Sequence, residues 1–122
     1  MRMWSGPATS RDEDRLKLDE CRQRSDDLGG PLPITHFFSL VSPPGPEPIA
    51  ARRELDALGY ETIVTEELPD DGYWHIAAFG NERLSVDGVA RRRTEMEALA
   101  DRHQLSYDGW DRTRTIAEES NP

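Results

Sequence analysis

Tyr73-Trp74-His75-Ile76-Ala77-Ala78-Phe79, then Gly80-Asn81, then Leu84-Ser85-Val86, and at the far end Leu105-Ser106-Tyr107-Asp108-Gly109-Trp110, is the stretch whose reading decides the fold. The first run is short, apolar and aromatic, which predicts a strand over 73–79 that turns at Gly80-Asn81. Leu84 and Val89 flank Ser85 as a hydrophobic staple flanks an N-cap, so a helix opens there and runs to His103. Val86, Val89, Met96, Leu99 and Ala100 recur at helical spacing and form its expected buried stripe. Gly88 inside it costs about 1 kcal/mol relative to alanine, which a helix of this length absorbs. A last strand over 105–107 is expected to end in an Asp108-Gly109 turn that tucks the Trp110 ring over the sheet edge.

Working upstream, Glu67-Leu68-Pro69-Asp70-Asp71-Gly72 carries an Asp-Gly hairpin signal, so the β-branched strand over 60–66 and the strand over 73–79 are expected to be antiparallel neighbours. Before it, a helix over 48–58 presents Ala51, Leu55 and Leu58 on one stripe and stops at Gly59 as a left-handed cap. The prolines over 42–48 preset the turn into that helix. Ile34-Thr35-His36-Phe37-Phe38-Ser39-Leu40-Val41 is a strand with Ile34, His36, Phe38 and Leu40 on one face and Thr35, Phe37, Ser39 and Val41 on the other. Neither face is fully polar, as in a central strand. The order β-α-β-β-α-β predicts an α+β, ferredoxin-like sandwich, with two helices on one face of a four-stranded antiparallel sheet.

Ahead of this domain, expected over 34–110, residues 1–33 form a charged segment. Ser10-Arg11-Asp12-Glu13 has the form of a capping box, and a helix over 11–24 follows it. Its apolar residues are only Leu16, Leu18 and Cys21, too few for a core stripe, so it is expected on the surface or fraying. Leu28-Gly29-Gly30-Pro31-Leu32-Pro33 reads as a linker. Residues 1–9 read as a loose end and 111–122 as a tail.

The chain has 122 residues, 35% hydrophobic and 32% charged, with mean hydropathy −0.78, enough for one domain and one core. Its formal charge is −9, and from Ile34 onward nine Lys and Arg stand against seventeen Asp and Glu, a net of −8. Such a domain repels phosphate backbones, which disfavours direct nucleic-acid binding and favours a basic protein partner. Cys21 is the only cysteine, which rules out an internal disulfide. No apolar run approaches the roughly 18 residues that span a bilayer, so no membrane is implied and a cytoplasmic setting is expected.

His36, His75 and His103 lack the short spacings of metal ligands and read as structural, with no metal or cofactor expected. No serine or cysteine sits in a nucleophile elbow, and with 24 acids no carboxylate pair is informative, so catalysis is not expected. Arg91-Arg92-Arg93 fan over roughly 200° of helix and read as a solvated surface. Tyr107, Asp108 and Trp110, with Tyr73 and Trp74, are the candidate anchors of a partner contact.

Leu58-Gly59-Tyr60-Glu61, Glu66-Glu67-Leu68, Asp71-Gly72, Ala98-Leu99-Ala100 with His103, and the closing Tyr107-Asp108-Gly109-Trp110 together resemble the regulator of ribonuclease activity B (RraB) family, protein inhibitors of ribonuclease E. The resemblance covers about 34–110. It implies a ferredoxin-like, non-catalytic domain that contacts the endoribonuclease and alters RNA turnover. It also implies a long acidic C-terminal tail, whereas 111–122 is short and mixed, with Arg112 and Arg114. The alternative is a self-associating, homodimeric or ligand-binding module whose open sheet face pairs with another copy.

Overall fold

The computed structural model describes residues 7–23, 30–40, 48–66 and 74–113. Residues 24–29, where the first helix is expected to end and the linker to begin, Val41 and the prolines over 42–47, the expected turn over 67–72, Tyr73, and residues 1–6 and 114–122 lie outside the described residues.

Seven elements follow one another: α1 (Arg11–Gln23), β1 (Leu32–Leu40), α2 (Ile49–Ala57), β2 (Glu61–Glu66), β3 (Trp74–Glu82), α3 (Val86–Arg102) and β4 (Leu105–Arg112). The strands form one sheet in the order β2-β3-β1-β4, antiparallel at every step. This is the split β-α-β arrangement that the element order predicts. β2 and β3 pair with Ile63 opposite Ala77, as expected of a hairpin.

The strand period of two decides which residues meet the helices. Ile34, His36 and Phe38 of β1 and Ile76 and Ala78 of β3 face inward, where they meet Ala51 and Leu55 of α2 and Met96, Leu99 and Ala100 of α3. Ser85 caps α3 by accepting from the Gly88 backbone N–H at 3.0 Å. Gly59 ends the α2 turn at φ +97°, the left-handed conformation expected of it. At the far ends of α2 and α3, Arg102 and His103 both bond Glu54, His103 Nε2 at 2.7 Å from Oε1, and these bonds hold the Glu54 carboxyl below its usual range.

Five expectations are corrected. β3 does not turn at Gly80-Asn81 but continues to Glu82, because Leu32, Pro33 and Ile34 of β1 pair with Glu82, Asn81 and Gly80. β4 does not turn at Asp108-Gly109. Phe38 pairs with Tyr107 and Phe37 with Gly109, so Asp108 is the extra residue of a β-bulge and the strand runs on to Arg112. Gly109 adopts φ +109° there. Val86 and Leu58, assigned to buried stripes, are 52% and 56% exposed, since each falls at the end of its helix. Arg93, assigned to a solvated surface, is 2% exposed.

The fifth correction concerns the N-terminal segment. Ala8 is no loose end: its N–H donates to Trp110 O at 2.7 Å and its carbonyl accepts from Trp110 N–H at 3.1 Å, which extends the sheet beyond β4. The capping box closes one residue early, with Thr9 N–H donating to Glu13 Oε1 at 2.7 Å while Ser10 Oγ accepts from the Glu13 N–H. α1 neither frays nor lies loose. It packs against α3, and its Leu18 and Cys21 join Ile34, Leu84, Val89 and Trp110 in a second core cluster on the helix side of the sheet.

Candidate functional site

Three regions carry polar or aromatic groups of note. The first is buried between α1, α3 and β4. Asp14 receives both arms of the Arg93 guanidinium, Nε on Oδ2 at 2.7 Å and Nη2 on Oδ1 at 2.6 Å, and Trp110 Nε1–H donates to the same Oδ1 at 2.7 Å. Arg93 Nη2 also donates to the Ala8 carbonyl at 2.8 Å, and the Asp14 carboxylate raises the Arg93 pKa further. Asp14 and Arg93 meet as planar, bidentate partners, the condition for tolerating a buried ion pair.

The second region lies at the centre of the helix-covered face. His36 is 2% exposed, with Nε2 at 2.7 Å from Glu82 Oε2 and Nδ1 at 2.8 Å from the Tyr107 hydroxyl. Tyr60 donates to the same Oε2 at 2.7 Å, and Arg92 Nε lies 3.4 Å from Oε1. An ionised carboxylate only accepts, so His36 carries hydrogen on Nε2 and donates it to Glu82. Burial alone pushes the Glu82 carboxyl up, but the His36 bond and charge, the Tyr60 bond and Arg92 outweigh it and hold it below its usual range. Burial pushes both phenols up, Tyr60 further through its bond to Glu82. The void beside this network is about 10 Å³, room for one water at most. With both ring nitrogens and both carboxylate oxygens engaged, the cluster aims side chains of β1, β3, β4, α3 and the residue before β2 at each other, not at a bound molecule.

The third region is the sheet face opposite the helices. Among the described residues no helix lies over it. A groove of about 460 Å³ there is lined by Phe37, Ile63, His75, Ala77 and Phe79, with Ile63 54% exposed.

The five candidate contact residues do not come together. Trp110 is 2% exposed and packs inside, and Tyr107 turns its hydroxyl to His36. Asp108 sits half-buried on the bulge, and Trp74 is half-buried at the opening of β3. Tyr73 lies outside the described residues. Phe79, Ile63 and Ala77 are not singled out by the sequence. Their signal is the strand alternation that separates Phe37 from Phe38, extended to the two neighbouring strands. Among the described residues, no group of three His, Cys, Asp or Glu side chains is placed to hold a metal ion, and no helix is long and apolar enough to cross a membrane.

The model of the family described as RraB, regulator of ribonuclease activity B, matches residues 11–111. A curated relative, the regulator of ribonuclease activity B of Photobacterium profundum, is 32% identical over 83 residues, which cover 63% of this chain and 60% of that protein. The family match thus begins at α1, the helix that Asp14 locks to the sheet, and ends one residue past Trp110, the other end of that lock. The chain belongs to the RraB family.

Proposed function

We propose that this protein is a non-catalytic regulator that binds an endoribonuclease of the ribonuclease E type and slows its cleavage of RNA. Family membership over 11–111 supports this reading, because both the family and its Photobacterium profundum relative are described as regulators of ribonuclease activity. The charge fits: a net of −8 from Ile34 onward steers the domain toward a basic, RNA-handling protein and away from RNA itself. The engaged His36–Glu82 pair fits as well, since it offers no accessible base. The proposed setting is the cytoplasm, with the nuclease.

The observation that carries the proposal is the family match across the packed part of the chain. Immobilised protein challenged with purified ribonuclease E at low and moderate salt tests it. Retention that weakens as salt rises is the expected result, and no retention at low salt contradicts it.

A further inference from the structure

Register places the face opposite the helices in rows, open over β2, β3 and Phe37 and closed towards β4, where Thr35 and Gly109 are buried. Ile63, Ala77, Phe37 and Gly109 lie side by side across the four strands, with Glu61, Phe79, Thr35 and Asp111 in the next row. The centre is therefore apolar and aromatic, and acids stand in the outer strands. Asp111 shares its charge with Lys17, whose Nζ is 2.8 Å away, whereas Glu61 is exposed.

The cations of the described residues are distributed differently. Apart from Arg112, no strand contains a lysine or arginine, and Arg112 pairs opposite Ile34, a residue of the helix-covered face. All other described lysines and arginines are on α1, α2 and α3 or at Arg83. Around the apolar groove the described residues thus place one exposed acid, Glu61, and no exposed lysine or arginine on the strands' open side.

We infer that this open sheet face is the docking surface, and that its occupant is an arginine- or lysine-rich protein segment with apolar residues spaced between its cations. The apolar residues enter between Phe37, Phe79 and Ile63, and a cation meets Glu61. A second copy of this chain fits poorly, because two molecules of charge −9 repel each other. Nucleic acid is excluded from such a face by the same sign of charge. This inference rests on the reading above that the protein works by protein contact, and it adds the surface and the chemistry of the partner.

The test uses the full chain and a synthetic peptide in which arginines alternate with leucines, with a glutamate-for-arginine peptide as control. Amide shifts on titration are expected at Phe37, Ile63, Ala77 and Phe79, and none with the control peptide. Ile63→Lys, at an exposed position, puts a cation on the face and is expected to weaken binding by about tenfold or more, as a central anchor does. Phe79→Ser is expected to do the same, and Arg91→Ser on the exposed side of α3 leaves binding unchanged. Shifts on α2 or α3, an Ile63→Lys variant that binds as the wild type does, or light scattering that shows a dimer through this face would each overturn the inference. Running the variants against immobilised ribonuclease E separates the two levels. If wild type and Ile63→Lys retain the nuclease equally, the surface is wrong and the regulator reading stands. If the peptide maps to the face while no nuclease is retained, the reading falls and the surface stands.

Discussion

Trp110 and Asp14, 96 residues apart in sequence, meet inside the protein, where the indole Nε1–H donates to the carboxylate at 2.7 Å. The same carboxylate holds Arg93, and Arg93 holds the Ala8 carbonyl. One acid therefore fastens the first helix, the last strand, the third helix and the N-terminal strand residue together. The most distinctive aromatic of the chain is spent on this joint.

Asp14→Ala leaves a buried guanidinium without its counter-charge and is expected to cost about 3–5 kcal/mol in urea unfolding. Trp110→Phe keeps most of the ring but leaves Asp14 one donor short, at about 1–3 kcal/mol. Because both variants act on one carboxylate, the double variant loses less than the sum, and a double-mutant cycle reads the coupling.

Gly109→Ala tests the bulge. A Cβ there would lie 2.1 Å from the Ala8 carbonyl oxygen, at φ +109°, so both backbone strain and a backbone clash oppose it. The strain alone costs about 1–3 kcal/mol. The expected outcome is a lower denaturation midpoint together with faster hydrogen exchange at the Ala8 and Trp110 amides, whose pairing the added methyl displaces.

Stability is expected to fall at both ends of the pH scale for different reasons. Glu82 is held below its ordinary value of 4.5, so its contribution is present above that value and is lost as pH falls through the depressed folded value. Tyr60 and Tyr107 are raised above 10.0, so their contribution is complete below that pH and drains away as pH climbs past it. Denaturation midpoints against pH should show both limbs. Glu82→Gln should flatten the acid limb and Tyr107→Phe the alkaline one.

Local signals suffice wherever packing follows them. The hairpin of β2 and β3, the Ser85 cap and the Val89, Met96, Leu99 and Ala100 stripe all follow from spacing of two or of 3.6 residues. α1 misleads because its burial is polar. Asp14 and Lys17 are 6% and 1% exposed, while the apolar Leu16 is 57% exposed. The partners that make that burial tolerable, Arg93 and Asp111, lie far along the chain, and no count of apolar residues finds them. Asp108-Gly109 misleads for a related reason. A glycine at positive φ serves a turn or a bulge equally, and the pairing of Ala8 with Trp110 decides between them. The open face is half legible: alternation puts Phe37 on the opposite face from Phe38, but which of the two faces the helices take is not local information.

The most direct measurement is the rate at which purified ribonuclease E cleaves a structured RNA as this protein is added. A rate that falls to a plateau near stoichiometric addition, recovers with salt, and stays high with Ile63→Lys is the result predicted. A rate that the wild-type protein leaves unchanged at every concentration would contradict the account.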